Sequence, residues 1–218
     1  MKTLIELIAV GHDASACLTA ANSTAMSYAA LRQLSQYVQK QFNQVGIGRN
    51  DRVALVLPNS AEMASSFITV ACCCTSAPLN PSYRADEFEF YLNDLNAKAL
   101  VVETGSSSPA VAVAAKMGIA LIEIEPTPQS GAGTFTLNMN GLAHKTTEHP
   151  GAAQADDVAL VLHTSGTTSR PKIVPLTHRN VSASAQNIAQ STKFSSSDRG
   201  LNVMPLFHIH GLIAGILA

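Results

Sequence analysis

Arg52-Val53-Ala54-Leu55-Val56-Leu57-Pro58 is the stretch that decides the fold. Behind Arg52 the side chains are apolar without alternation, and Pro58 closes the run. A short strand with no polar face is buried on both sides, which is the habit of a parallel sheet covered by helices. Upstream, Leu31, Leu34, Val38, Phe42 and Val45 recur at helical spacing through Ser27 to Val45, and Gly46 and Gly48 stop that helix. Downstream, Asn59 or Ser60 is placed to cap a helix running through Met63, Phe67 and Val70 into three consecutive cysteines. Pro78-Leu79-Asn80-Pro81 reads as a rigid loop. Tyr83 to Asn96 reads as a helix with Phe88, Tyr91, Leu92 and Leu95 on one face. A strand over Ala99 to Val102, a helix over Pro109 to Met117 and a strand over Ile119 to Ile124 follow. This alternation predicts an α/β chain, with parallel-rich sheets and helices on both faces.

From Glu125 to Asp157 the alternation lapses. Pro126, Pro128, Gly131, Gly133, Gly141, Pro150 and Gly151 punctuate the segment, which leaves room for one strand near Phe135 to Leu137. It reads as a connection between two lobes. The expected organisation is a first α/β lobe plus linker over 1–150, and the start of a second lobe over 151–218. Val158-Ala159-Leu160-Val161-Leu162 then restarts as a strand.

Composition excludes several classes of function. The 218 residues carry 14 Lys+Arg against 15 Asp+Glu, a net charge of −1, so no basic excess exists to hold nucleic acid or an anionic membrane. Charged residues are only 13%, well under the ~25% usual for soluble domains, which implies a surface meant to be partly covered. No apolar run reaches the ~18 residues of a membrane span. Met1 to Val10 carries Glu6 and no cleavage pattern, so it reads as mature chain, and the expected location is the cytoplasm, with a peroxisomal address also open. Cys72, Cys73 and Cys74 are adjacent and suit neither a disulfide ladder nor metal spacing; reduced thiols buried in a helix are expected. His208 and His210 are the only close histidine pair, and two ligands alone do not make a metal site.

The strand at Val158 runs into His163-Thr164-Ser165-Gly166-Thr167-Thr168-Ser169-Arg170-Pro171-Lys172, followed by a second apolar segment, Ile173 to Leu176. Hydroxyl and backbone donors crowd around Gly166, and Arg170 and Lys172 add positive charge. Donors and cations on a glycine-bearing turn are what polyphosphate recognition requires. The alternative is an ordinary solvated Ser/Thr loop. A Walker-type loop is excluded, because no second glycine precedes Lys172 and Ile173 follows it.

Residues Thr164 to Lys172 resemble, at every position, the phosphate-binding signature of the adenylate-forming acyl-activating enzymes, a family that includes acyl-CoA synthetases, firefly luciferase and peptide-synthetase adenylation domains. Leu176-Thr177-His178-Arg179-Asn180, with Thr177 as N-cap, and Pro205-Leu206-Phe207-His208-Ile209-His210-Gly211 resemble the motifs that follow. Asp51-Arg52-Val53-Ala54-Leu55 and Asn80-Pro81-Ser82-Tyr83 are similar to the family's first lobe. The Thr-Ser-Arg-Pro-Lys variant with His-Ile-His-Gly is similar to the oxalate–CoA ligase branch. The resemblance implies ATP, Mg2+ and coenzyme A as cofactors, and a small carboxylate, such as the dicarboxylate oxalate, as substrate. The carboxylate is joined to AMP with release of pyrophosphate and then passed to the thiol. It also implies that Thr164, Ser165, Gly166, Thr167, Thr168, Ser169 and Lys172 hold the β- and γ-phosphates. Gly166 would admit close backbone approach and Lys172 would neutralise departing pyrophosphate. His208 would act beside the acyl group; its plainer alternative is a helix-capping histidine, and His210 is left with no role.

Two positions depart from the pattern. Ser169 stands where many relatives have Gly, and Ile173 stands where Gly usually follows the lysine. If that second position required positive φ, Ile173 would be strained by about 1–3 kcal/mol. The family's adenine-binding and ribose-binding segments, hinge and C-terminal catalytic lysine are not in these 218 residues. The expectation is therefore the N-terminal part of a longer acid–CoA ligase, inactive alone. A fatty-acyl ligase, a carrier-protein-loading adenylation domain and a non-catalytic binding protein are the alternatives.

Overall fold

A computed structural model describes residues 1–164 and 171–218. The run at Arg52 becomes strand β3 (Arg52–Leu55), and the alternation it announced produces a seven-stranded sheet. The other strands are β4 (Thr75–Pro78), β5 (Ala99–Glu103), β6 (Ala120–Pro126), β7 (Phe135–Asn138), β8 (Val158–Thr164) and β9 (Lys172–Thr177). Their order is β7-β6-β5-β3-β4-β8-β9; the five inner strands are parallel, and β7 and β9 pair antiparallel at the two edges. A short hairpin, β1 (Ala16–Leu18) and β2 (Met26–Ser27), stands apart.

Strand pleating splits the buried side chains between two cores. Val53, Leu55, Leu57, Val101 and Ile122 face one core, which is covered by α1 (Leu4–Ala9), α2 (Tyr28–Gln44), α3 (Ala61–Ala71) and α6 (His178–Thr192). Ala54, Val56, Leu100 and Val102 face the other, which is covered by α4 (Ala85–Leu95) and α5 (Pro109–Met117) through Phe88, Leu92, Leu95, Ala110 and Val113. Helices on both faces follow directly from strands apolar on both sides. The helix ends follow local chemistry too. The Ser27, Ser60 and Thr177 hydroxyls accept from the third amide of α2, α3 and α6, and Gly118 closes α5 at φ 68°.

Two local readings are corrected, and two points that the sequence left open are filled in. The cysteines do not lie within a helix: α3 ends at Ala71, and Cys72 to Cys74 form the buried turn after it, all free thiols. Burial pushes the Cys72 thiol up to about 12, so it is not a ready nucleophile. Of the loop expected over Pro78 to Pro81, Pro78 is instead the end of β4, whose residues Thr75 to Pro78 are all buried, and the chain leaves the strand at Leu79. Met1 to Val10 holds a helix, with Thr3 as its cap. Ile173 lies inside β9, paired with His163 in an extended ladder, so no positive φ strains it.

The strands on either side of residue 150 share one sheet: β8 lies beside β4 with Ser76 opposite Leu160, and the Thr75 hydroxyl donates to the Val158 carbonyl at 2.7 Å. A network around the buried Asp157 ties the connecting segment down. Arg49 grips the Asp157 carboxylate at 2.7 and 3.3 Å, and Asn50 and the Gln154 amide donate to it at 2.8 and 2.7 Å. Burial works to raise the Asp157 carboxyl, but these donors together hold it below its usual range. No described helix is long and apolar enough to cross a membrane.

Candidate functional site

Ligands of open α/β sheets gather beyond the carboxyl ends of the strands, where the strand order reverses. Here β3 connects to β4 on one side and β5 connects to β6 on the other, so the reversal lies between β3 and β5, and a cleft opens beside it at the ends of β3 and β4. Leu57 and Asn59 after β3, and Leu79 and Pro81 after β4, line this cleft with Met63, Leu206 and Phe207. As the described residues form it, it is too small to enclose a whole small molecule. β8 runs parallel beside β4, so Thr164 emerges at the same edge of the sheet.

Thr164 and Lys172 sit directly opposite each other where the β8–β9 hairpin ends, and both are exposed. Among the described residues Lys172 makes no ion pair. A hydroxyl and a cation at a hairpin mouth suit an anion with several oxygens. Ser165, Gly166, Thr167, Thr168 and Ser169, the rest of the expected phosphate-binding set, lie outside the described residues.

His163, one residue before the mouth, is a neighbour that sequence reasoning missed. Its Nε2–H donates to Asp94 of α4 at 3.0 Å, and its ring meets Tyr91 edge-on at 4.7 Å. Burial lowers its pKa and outweighs the upward pull of Asp94, so the pair is a neutral imidazole donating to a carboxylate near pH 7. It ties the end of β8 to α4. The Asp94–His163 link spans 69 residues and leaves no local signal.

His208 occupies a separate turn. Its amide donates to the Pro205 carbonyl at 3.2 Å, its carbonyl accepts from Leu212 at 3.1 Å, and a closing π-helix spans His210–Leu217. The backbone of His208 therefore supports that helix start. Its ring is exposed, 4.5 Å from the Phe207 ring, with no hydrogen bond among the described residues. Gly211 explains why the motif ends in glycine: a Cβ there would meet the Pro205 carbonyl oxygen at 2.5 Å, a clash with backbone that has nowhere to go. His210 is exposed, and no group of three metal-ligating side chains occurs among the described residues.

Comparison with known proteins shows the family and the fold. The family of AMP-binding enzymes matches residues 8–218. An oxalate–CoA ligase of Arabidopsis thaliana is 37% identical over 226 residues, covering 100% of this chain and 43% of the relative. An oxalate–CoA ligase of Saccharomyces cerevisiae is 34% identical, covering 94% and 43%. The crystal structure of ATP-bound MatB from Rhodopseudomonas palustris superposes with a TM-score of 0.76 at 24% identity, covering 98% of this chain and 42% of that one, which shows a shared fold. The chain spans about two-fifths of the length of these relatives. With a matched region running from residue 8 to 218, the chain belongs to the AMP-binding enzyme family.

Proposed function

We propose that this chain supplies the nucleotide-gripping part of an ATP-dependent acid–CoA ligase acting on a small dicarboxylate such as oxalate. The observation that carries the reading is the Thr164-to-Lys172 sequence mounted on a β8–β9 hairpin that brings its two ends face to face. In the proposed reaction a carboxylate oxygen attacks the α-phosphorus of ATP, the bond to the bridging oxygen breaks, and pyrophosphate leaves. The coenzyme A thiol then displaces AMP, losing its proton as the thioester forms. Thr164 donates a hydroxyl to the leaving phosphates, and Lys172 neutralises their growing charge; the contribution is electrostatic positioning. His208, one residue beyond the cleft-lining Phe207, is assigned to the acyl transfer. Mg2+ would arrive on the nucleotide, held by its phosphates, since the described residues offer no cluster of acidic ligands. The two oxalate–CoA ligase relatives support the choice of a dicarboxylate.

Pyrophosphate exchange tests the reading. The product of the complete reading frame should exchange pyrophosphate into ATP with oxalate and far less with a fatty acid, while the 218-residue chain alone should stay at background. Lys172→Ala should cut exchange by about 10²-fold. Absence of exchange with every carboxylate, or indifference to Lys172, overturns the proposal; a preference for fatty acid overturns its substrate.

A further inference from the structure

We infer that Asn59 is a positioning residue, whose carboxamide pins the Met204–Leu206 backbone and so fixes the turn that carries His208; this rests on the functional reading above. Asn59 is itself held from both sides. Pro58 fixes the chain before it, and Ser60 is committed to capping α3 by accepting from Met63 at 3.2 Å. From that fixed point Oδ1 accepts from the Leu206 amide at 2.8 Å, and Nδ2 reaches the Met204 carbonyl at a longer 3.5 Å. One acceptor and one donor facing an amide and a carbonyl two residues apart is a match only a carboxamide makes in full. The Leu206 side chain is buried in the first core, and its amide finds no other acceptor among the described residues.

His208 is two residues beyond the pinned amide, and the turn between is short. The His208 amide returns to Pro205, and Gly211 lets the Pro205 carbonyl approach where a Cβ would not fit. The turn is therefore fixed at one end by Asn59, reaching across 147 residues, and at the other by Gly211. Removing the carboxamide frees the segment that carries His208 without touching the hairpin that carries Lys172.

Hydrogen exchange and kinetics test this together. In the 218-residue chain, Asn59→Ala should speed amide exchange of residues 204–212 by about three- to tenfold, the worth of one hydrogen bond to backbone. Asn59→Asp, which keeps the 2.8 Å acceptor, should recover most of the protection. In the product of the complete reading frame, Asn59→Ala should lower kcat for adenylate formation by a similar factor with KM for ATP unchanged, and Asn59→Asp should again recover it. Unchanged exchange in Asn59→Ala, Asn59→Asp as impaired as Asn59→Ala, or a loss falling wholly on KM for ATP each overturns the inference, even if adenylation itself is robust. Exchange that follows Asn59 in a wild-type protein that forms no adenylate would uphold the anchor while overturning the functional reading.

Discussion

Acidification should loosen this protein through one buried imidazole. His178, the first residue of α6, is fully buried; its Nδ1 accepts the Leu4 amide of α1 at 3.2 Å, so the neutral ring carries its proton on Nε2. That Nε2 has no partner at hydrogen-bond distance. Burial disfavours the charged ring and outweighs Asp157 and the Ala71 carbonyl, which pull the other way, bringing the pKa from 6.5 to about 4. A base whose folded pKa is depressed is protonated first in the unfolded chain. The stability its neutral form provides is complete above pH 6.5 and is lost as pH falls toward 4. At 1.36 kcal/mol per pKa unit the loss is about 2 kcal/mol by pH 5 and about 3 kcal/mol by pH 4. Protonation also removes the acceptor for Leu4, so α1 should detach first. Urea titrations at pH 7.5, 6.5, 5.5 and 4.5 measure the effect. His163 is lowered as well and Asp157 adds its own loss at lower pH, so comparison with His178→Gln isolates the one ring. The variant should be less stable at pH 7.5 yet show a shallower decline between pH 6.5 and 4.5. An identical decline in both proteins would refute the reasoning.

Two further outcomes are expected. Arg49→Ala should leave Asp157 nearly buried with only Asn50 and the Gln154 amide as donors, costing about 2 kcal/mol in chemical denaturation and raising the carboxyl's pKa as followed by NMR. Ile173→Gly should lower the thermal midpoint, by about 1 kcal/mol in equivalent stability, because it loosens a strand interior and relieves no strain.

What could be read in advance had a local cause. β3 and β5 were legible because continuous apolar runs have no other use, and α2, α4 and α5 because their apolar stripes repeat with caps or stops at the ends. β4 was hidden: Thr75-Ser76-Ala77-Pro78 is polar or small at every position, yet all four are buried because neighbouring strands on both sides enclose them. The hairpin β1–β2 is held by few residues and has no periodicity to show. For the site, Thr164 and Lys172 were legible through their loop, whereas Asn59 and the Asp94–His163 pair act across 147 and 69 residues, and only the folded sheet brings them together.

The bond between Leu4 and His178 also sets an order of events during synthesis. α1 makes it with an element produced 174 residues later. At ~5–20 residues per second that interval is on the order of ten seconds or more. Until α6 arrives α1 has α2 to lean on, with Arg32 already donating to the Ile8 carbonyl, while the Leu4 amide still lacks its acceptor.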